Sequence, residues 1–370
     1  MDDDLPALRL NLTALDHNIA LMARWCRDRG VALCPHVKTT MTWPIVERQL
    51  AAGAWGVTVA TVRQAGTAVY WGVRRIVIAN EVVHPPDLAA LRRYLDAADD
   101  LTVYCFVDSV AGVQRAAEAM VGAHRPLHVL VDVGTPGGRT GVREPEQARA
   151  VAQACAAADG LILAGVAGYE GVRPNRRDPD ILALVDAHCR MTVTVCESLL
   201  ALAGTDRVIF TMGGSAFPDR VLDALAGHAD GVLPILRSGC YVTHDHGTYA
   251  QVSPVPGLRP ALSVRAVVLS APEPGRAVVG AGKRELPYDA GLPVLLAARD
   301  ATGASRPLAA ASANQIFDHH LILDDAWGLA VGDIVDLGIS HPCSAFDRWP
   351  DIAVVDDCGE IVEHWHTRFR

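Results

Sequence analysis

A lysine in an unusual position lies near the start of the chain. The 370 residues contain two lysines, Lys38 in the segment CPHVKTT and Lys283 in a glycine-rich segment. A lysine in a partly dry pocket loses its proton readily and attacks a carbonyl carbon, which is how Schiff-base lysines work. We therefore predict that Lys38 carries a carbonyl cofactor and that the neighbouring His36 helps to bind it. An ordinary surface lysine is the alternative.

Two later segments are rich in small residues of the kind that cradle a phosphate group. They are TMGGSAFPD, which contains Gly213, Gly214 and Ser215, and RSGCY, which contains Ser238 and Gly239. Small residues leave backbone N–H groups uncovered, and such groups bind phosphate where a helix is about to begin. A phosphate cradle together with a carbonyl-binding lysine predicts pyridoxal 5′-phosphate as the cofactor.

Two further segments bring side chains that can contact such a cofactor. VDVGTPGGRTGV, residues 131–142, carries Arg139 in a glycine-rich turn, and AGYEGV carries Tyr169 and Glu170. Glycines let the backbone approach a ligand, and a guanidinium group binds anionic or planar groups. Neither segment is specific, because a glycine-rich surface loop and packing at the rim of the fold explain them equally well.

A pair of metal-binding residue types lies near the C-terminus. His341 and Cys343 are two apart in SHPCSAFDRW, so on an extended segment both point to the same face. An imidazole and a thiolate bind a divalent metal, zinc above all, with manganese, cobalt or magnesium as alternatives. Two ligands leave positions open for water or substrate, although a chance pairing is also consistent with the motif. We interpret the His-x-His pairs at 244–246 and 364–366 as loop and tail histidines.

The elements that must position these residues follow a repeated pattern. Short apolar, β-branched runs alternate with segments of helical apolar spacing, such as 44–52 and 144–158. The runs are residues 31–35, 56–60, 75–80, 101–107, 127–133, 161–167, 207–211 and 231–236. Eight such units predict an α/β fold, a (β/α)8 barrel of the TIM type, with an open doubly wound sheet as the alternative. In a barrel, active-site groups lie at the C-terminal ends of the strands, where Lys38 is expected.

The amino-acid composition of the chain changes after Tyr241. Prolines and glycines become frequent and separate short strand-like runs. The runs are residues 262–269, 277–279, 293–297, 321–323, 334–337 and 352–355. We therefore predict a barrel over residues 1–246 and a C-terminal β domain over residues 247–370 that carries the metal site. Residues 1–12 are expected to pack with the β domain.

The bulk properties restrict the partners. The net charge is −9, which argues against nucleic acid or an anionic membrane as a partner, since both are bound by basic patches. The acidic start MDDDLPALRL does not resemble a signal peptide, and no run of about 18 apolar residues predicts a membrane span. Nine cysteines without a C-x-x-C pair predict reduced thiols in a cytoplasmic protein.

Taken in order, these motifs resemble one known family. PHVKTT, VDVGTPGGRTGV, GYEG, the Gly-Gly-Ser segment, RSGCY and HPC are similar to the D-serine dehydratase-like family, which also includes D-threonine aldolases and D-threo-3-hydroxyaspartate dehydratases. That family belongs to the alanine-racemase-like, fold-type III pyridoxal enzymes. The resemblance covers nearly the whole chain, and PHVKT and HPC are its specific parts.

The resemblance assigns a role to each matching position. Lys38 becomes the Schiff-base lysine, and Arg139 and Tyr169 lie beside the cofactor ring, Tyr169 as a second catalytic residue. His341 and Cys343 become the metal ligands. The residues implied to hold the phosphate are Thr211, Gly213, Gly214, Ser215, Gly239, Cys240 and Tyr241.

Three departures from the family pattern bear on the substrate. Thr40 and Met41 stand where polar or basic residues are usual, and Cys240 replaces the usual amide. An acidic pair before a histidine appears here as the segment 318–320, Asp-His-His. These changes are typical of an amino-acid-deaminase-like branch.

The activity implied is that of a lyase on a D-3-hydroxy amino acid. The metal polarises the β-hydroxyl as a leaving group, and the products are a 2-oxo acid and ammonia. An aldolase that releases glycine and an aldehyde is one alternative, and a racemase that uses Tyr288 as a second proton donor is another. A pyridoxal-phosphate carrier lacks a C-terminal β domain, and a barrel without a cofactor is the remaining possibility. The resemblance also implies a homodimer.

Overall fold

The structure is a computed structural model that describes residues 4–228, 230–308 and 311–369. Its contacts divide the chain into two compact units. The barrel unit consists of residues 23–38 and 49–239, and the β unit consists of the described residues of 1–22, 39–48 and 240–370.

The described residues form strands and α-helices in the following order. The strands are β1 (Ala7–Asn11), β2 (Ala32–Leu33), β3 (Val57–Val59), β4 (Arg75–Glu81), β5 (Thr102–Val107), β6 (Leu127–Val133), β7 (Leu161–Gly168), β8 (Val208–Met212), β9 (Val232–Leu236), β10 (Leu262–Glu273), β11 (Arg276–Val279), β12 (Val294–Arg299), β13 (Ser312–Ile316), β14 (Leu321–Asp324), β15 (Ile334–Gly338), β16 (Asp351–Val355) and β17 (Ile361–His366). The helices are α1 (Leu12–Arg27), α2 (Trp43–Ala51), α3 (Val62–Tyr70), α4 (Pro85–Ala97), α5 (Val110–Met120), α6 (Pro145–Ala156), α7 (Pro179–Leu199), α8 (Pro218–Leu225) and α9 (Thr248–Val252).

The barrel unit contains a sheet of eight parallel strands, β2 to β9. From β3 to β9 each strand pairs with its neighbours in sequence, and β2 pairs with β9. A parallel bridge between His36 and Thr58, with the Thr58 N–H donating to the Pro35 carbonyl at 2.8 Å, joins the end of β2 to β3 and closes the ring. The predicted α/β barrel is therefore confirmed, and the open-sheet alternative is wrong.

The apolar runs of the sequence become the interior of this sheet because parallel strands covered on both faces need apolar side chains on both. All eight predicted runs are strands. One buried cluster inside the barrel unit combines side chains from six of the strands, β4 to β9, and from the residue after β2: Cys34, Val77, Tyr104, Phe106, Leu130, Ala164, Ala167, Ile209 and Ile235. This packing holds the strand ends, and the residues that follow them, in a fixed arrangement.

Several helices begin just beyond the strand ends because a capping residue stops the loop there. Thr61, Ser109 and Asp178 each accept a hydrogen bond of 3.2 Å from the backbone N–H three residues later, at the starts of α3, α5 and α7. Such a cap satisfies a donor that the first helical turn leaves unpaired, at about 1 kcal/mol each. The loops at the C-terminal ends of the strands are thereby kept short and ordered.

The β unit is built on the long strand β10. The strand β1 pairs antiparallel with it and parallel with β16, and β15 pairs antiparallel with its other edge. The strands β11, β14 and β13 continue beyond β10, while β17 follows β16 and β12 follows β15. The predicted β character of this region is confirmed.

Three strands of the β unit are absent from the sequence predictions. They are β1, β13 and β17, which read ALRLN, SANQI and IVEHWH. Each mixes polar and apolar residues because one face is exposed or meets charged groups, so none of them forms an apolar run.

The pairing of β1 with β10 places residues 7–11 in the β unit. The division at residue 246 stays a prediction, and by contacts the β unit begins again at residue 240. None of the described helices is long and apolar enough to cross a membrane.

Candidate functional site

Lys38 lies immediately beyond β2, in a short 3-10 turn over Val37–Thr39, at the C-terminal end of the barrel strands. Its side chain is half-buried. Burial lowers the pKa of the neighbouring His36 well below its ordinary value, and the positive charges of Lys38 and Arg237 lower it further. The imidazole is therefore neutral, and its Nδ1 atom is buried with no hydrogen-bond partner among the described residues. A buried polar atom of this kind marks a place where a bound group supplies the partner.

The loop after β8 is held by a carboxylate from the loop after β7. The buried Glu170 accepts hydrogen bonds from the N–H groups of Gly213, at 3.2 Å to Oε2, and of Gly214, at 2.7 Å to Oε1. Gly213 has a φ of +94°, and a Cβ atom there would lie 2.4 Å from the Leu236 side chain. Glycine is therefore required, but these two N–H groups are bonded to the protein itself. A phosphate cradle on this loop must rest on the residues that follow them.

The next donors along the two loops are available for such a role. Within the part of the chain that the structure describes, the N–H groups of Ser215 and Gly239 donate no hydrogen bond. The two loops are tied together because the Ser238 hydroxyl donates to the Gly214 carbonyl at 2.6 Å. A Cβ atom on Gly239 would lie 2.4 Å from the His36 carbonyl, so this close approach of the two backbones requires glycine. Ser215 and Gly239 thus suit an anion better than Gly213 and Gly214 do.

Arg139 and Tyr169 contact each other in the barrel unit, and their predicted place beside a cofactor ring stays a prediction. The Arg139 guanidinium carbon lies 4.8 Å from the centre of the Tyr169 ring, a cation–π contact. The same ring lines the glycine loop, because a Cβ atom on Gly214 would lie 3.1 Å from Tyr169 Cε2. The turn that carries Arg139 is fixed by the Thr140 hydroxyl, which donates to Asp132 at 2.9 Å.

A buried arginine is the residue that the sequence reasoning missed. Arg237 donates to the Thr211 hydroxyl at 2.8 Å and to the Gly168 carbonyl at 2.7 Å, and the phosphate role of Thr211 stays a prediction. Burial lowers the pKa of Arg237, while Glu170 and Asp132 raise it. The signal was present in the sequence, since a charged residue that directly follows an apolar strand rarely lies there without a partner.

A group of carboxylates at the ends of neighbouring strands was missed as well. Glu81 ends β4, Asp108 follows β5 and Asp132 lies in β6. Burial raises the pKa of Glu81 to about 8, and the negative charges of Asp132 and Asp108 add to the shift. Asp108 is also structural, because it accepts a 3.1 Å hydrogen bond from the N–H of Gly141. The barrel unit therefore holds a carboxyl group that is protonated at neutral pH.

In the β unit, His341 has the environment of a metal ligand. Its Nδ1 atom lies 2.7 Å from Oδ2 of Asp289, and the Ser344 hydroxyl donates to the other oxygen of Asp289 at 3.2 Å. Burial works to lower the pKa of His341, but the contacts with Cys343 and Asp289 raise it to about 9. Metal-binding histidines usually present their second ring nitrogen to a carboxylate, which fixes the ring. Asp289 was not identified from the sequence because it lies far from the H-x-C motif.

Cys240 contacts Cys343 within the β unit. It lies in a 3-10 turn over Cys240–Val242, and its sulfur is 3.2 Å from the sulfur of Cys343. The predicted place of Cys240 beside the phosphate stays a prediction. The phosphate role of Tyr241, which is buried in the same turn, stays a prediction.

The two His-x-His pairs and Tyr288 have contacts of their own. His244 and His246 are a loop pair, and burial lowers the pKa of His244 to about 4. His366, at the end of β17, pairs with Asp351. The Tyr288 ring is 46% exposed and lies 5.5 Å from the Lys283 ammonium, so the one other lysine of the chain contacts it. Across the described ranges, no three His, Cys, Asp or Glu side chains already stand around a common metal position.

Comparison with known proteins places this arrangement in context. The model of the alanine racemase N-terminal domain matches residues 10–217, and that of a putative serine dehydratase domain matches residues 261–355. The D-threonine aldolase of Arthrobacter sp. is 29% identical, covering 99% of this chain and 93% of the relative. The D-threo-3-hydroxyaspartate dehydratase of Delftia sp. (strain HT23) is 31% identical, covering 78% and 74%. The crystal structure of D-threonine aldolase from Filomicrobium marinum has a TM-score of 0.84 at 29% identity, covering 98% of this chain and 95% of that one.

Proposed function

Because the chain belongs to the alanine racemase N-terminal domain family and also matches a putative serine dehydratase domain, we propose that it is a metal-dependent pyridoxal-phosphate lyase. The substrate is a D-3-hydroxy amino acid, and the reaction is dehydration to a 2-oxo acid and ammonia. The observation that carries the proposal is the imidazole of His341, which Asp289 holds at 2.7 Å beside Cys343. That arrangement supplies the metal site on which activation of a hydroxide leaving group depends.

The barrel unit fits the cofactor on three counts. Lys38 lies at the C-terminal end of the strands, the neighbouring His36 is neutral with an unpartnered Nδ1, and the N–H groups of Ser215 and Gly239 are unbonded on two adjoining loops. Lys38 would hold the aldehyde carbon covalently, and Ser215 and Gly239 would hold the phosphate. When bound, pyridoxal 5′-phosphate stabilises negative charge that develops at the substrate α-carbon.

The protein's own groups then perform distinct tasks. The ε-amino group of Lys38, once released, takes the proton from the α-carbon on the face that it occupies. Arg139 and Tyr169, stacked at 4.8 Å, are the side chains that would border the ring, and Glu170 keeps the phosphate loop in place. The β-hydroxyl leaves as water, and hydrolysis of the resulting free enamine consumes one water, so 2-oxo acid and ammonia form in equal amounts.

His341 and Cys343 hold the metal in this proposal. A bound metal would supply Lewis-acid polarisation of the β-hydroxyl, and a thiolate ligand favours zinc over manganese or magnesium. Asp289 fixes the imidazole at Nδ1, and the His341 side chain also interacts with Cys343. Zinc as the metal, a homodimer and a cytoplasmic location all stay predictions.

Aldol cleavage is the second candidate because the D-threonine aldolase relative matches nearly the full chain. The same groups would then break the Cα–Cβ bond, with a base rather than an acid acting at the β-hydroxyl.

One product assay separates the candidates. The holoenzyme is incubated with D-serine, D-threonine and D-threo-3-hydroxyaspartate, with and without chelator, and ammonia, 2-oxo acid, glycine and aldehyde are quantified. We expect ammonia and 2-oxo acid in equal amounts, lost on chelation. Glycine and aldehyde in equal amounts would identify an aldolase, and turnover that survives complete metal removal would exclude the metal from the reaction.

A further inference from the structure

We propose that Cys240 is a third protein ligand of the metal that His341 and Cys343 bind. The inference rests on the proposed function to the extent that it presupposes a metal at the H-x-C motif. It concerns a residue that stands 103 positions from Cys343 in the chain. The ligand set becomes two thiolates and one imidazole, with one coordination position left for the substrate or water.

The first support is the distance between the two sulfur atoms. Cys240 Sγ lies 3.2 Å from Cys343 Sγ, and neither residue is in a disulfide. Two thiolates on a tetrahedral zinc at about 2.3 Å lie about 3.8 Å apart. The sulfurs therefore need to separate by roughly 0.6 Å, a small side-chain rotation, to admit an ion between them. Contact between the sulfurs also explains why these residues do not already surround a common centre.

The second support is that His341 and Cys240 each have an outer partner. Asp289 lies on the Nδ1 side of His341, and the Tyr249 side chain hydrogen-bonds Cys240. The Tyr249 ring also lies 5.7 Å from the His341 ring, so one residue contacts both candidate ligands. Tyr249 is itself held at its backbone, because its N–H donates to the buried Asp245 at 2.9 Å. Outer partners of this kind orient ligands and are a regular feature of metal sites.

The third support is the number of ligands that a catalytic zinc requires. Such a site ordinarily has three protein ligands and one open position, and the H-x-C motif alone supplies two. Cys240 is buried, at 6% exposure, and it lies against Cys343, so it completes the set without any long-range movement. The thiolates of Cys240 and Cys343 together also restrict the metal, because thiolates select zinc or cobalt and disfavour manganese and magnesium.

Cobalt spectroscopy tests the assignment directly. Metal-stripped, reduced holoenzyme is titrated with Co²⁺, and the sulfur-to-cobalt charge-transfer band in the near ultraviolet is measured per bound ion. The variants are Cys240→Ser and Cys240→Ala, with Cys343→Ser as the reference loss of one thiolate. Cys358→Ser removes an exposed thiol and is the matched control. Zinc affinity is measured in parallel by competition with a chromophoric chelator, and near-ultraviolet circular dichroism verifies the fold.

We expect the wild-type band to fall to about half in both Cys240 variants and in Cys343→Ser, with zinc affinity lower by about tenfold or more. Cys358→Ser should match the wild type. Full band intensity and affinity in both Cys240 variants would overturn the third-ligand assignment while leaving the H-x-C site intact. A wild-type protein that binds no cobalt would instead overturn the metal in the proposed function.

X-ray absorption on the zinc-loaded wild type provides a test that needs no substitution. Two sulfur atoms at about 2.3 Å from zinc support the proposal, and a single sulfur contradicts it. This measurement decides the question even if both Cys240 variants fail to fold.

Discussion

Oε1 of Glu170 accepts a hydrogen bond of 2.7 Å from the backbone N–H of Gly214. The partner oxygen bonds Gly213, and the carboxylate is buried, so the loop after β8 has its shape dictated by a side chain from the loop after β7. Two N–H groups of the glycine motif that suggested a phosphate cradle are thus hydrogen-bonded within the protein. We infer that Glu170 positions Ser215, the residue that follows Gly214.

Glu170→Gln should weaken cofactor retention without removing Lys38 chemistry. A neutral amide accepts only one of the two hydrogen bonds well, and bonds to a charged acceptor are worth about 1.5–3 kcal/mol. We expect the dissociation constant for pyridoxal 5′-phosphate to rise about tenfold or more, measured by equilibrium dialysis after cofactor removal. Glu118→Gln, on the exposed face of α5, is the control and should be unchanged. Equal affinity in both variants would contradict the loop-holding role.

Lys38 should be the residue that carries the cofactor. Borohydride reduction followed by peptide mapping should place the pyridoxyl group on Lys38, and Lys38→Ala should lose the label. Lys283→Ala is the natural control because the chain has only these two lysines, and it should keep full labelling. Labelling at Lys283, which lies against the Tyr288 ring, would contradict the assignment of the cofactor to Lys38.

Asp289→Asn should lower metal affinity while the cofactor stays bound. The asparagine no longer fixes and polarises the His341 ring as a carboxylate does, and loss of such a partner typically costs 10- to 100-fold in affinity. The measurement is zinc competition together with the absorption spectrum of the bound cofactor. Asp325→Asn, an exposed residue with a φ of +51° that asparagine tolerates, is the control. Unchanged zinc affinity in Asp289→Asn would mean that Asp289 does not support a ligand.

Glu81→Gln should change how the stability of the apoprotein depends on pH. Burial, helped by Asp132 and Asp108, raises the folded-state pKa of Glu81 to about 8 from an ordinary value of 4.5. Between these values the folded state holds a proton that the unfolded state has lost, so the contribution to stability is complete below pH 4.5 and is lost as pH rises through 8.

Glu81→Gln should lose this dependence of stability on pH. The wild-type unfolding temperature should fall more steeply between about pH 5 and pH 8.5 than that of Glu81→Gln, in which nothing titrates at this position. Differential scanning calorimetry across this range measures it, with Glu118→Gln expected to follow the wild type. Parallel curves for the wild type and Glu81→Gln would show that Glu81 titrates normally.

The barrel was predictable because its signal is local. Each of the eight strands is a short apolar run followed by a helical segment, and buried parallel strands need that composition along their whole length. The strands β1, β13 and β17 were missed because a strand with one polar face has no apolar run to recognise. The positions of Lys38 and Arg139 followed from the same rule, since each lies just beyond a predicted strand end.

The sequence by itself determined which residues lie at the strand ends, because this depends on neighbours a few residues away. The extended segment expected around His341 and Cys343 is instead a 3-10 turn over Pro342–Ser344. Only the tertiary structure decided the partners of these residues. Glu170 binds Gly214 across 44 positions, Asp289 binds His341 across 52, and Cys240 meets Cys343 across 103. No local pattern encodes such pairs, because they form only when packing of the strands and the β unit brings distant segments within hydrogen-bond reach.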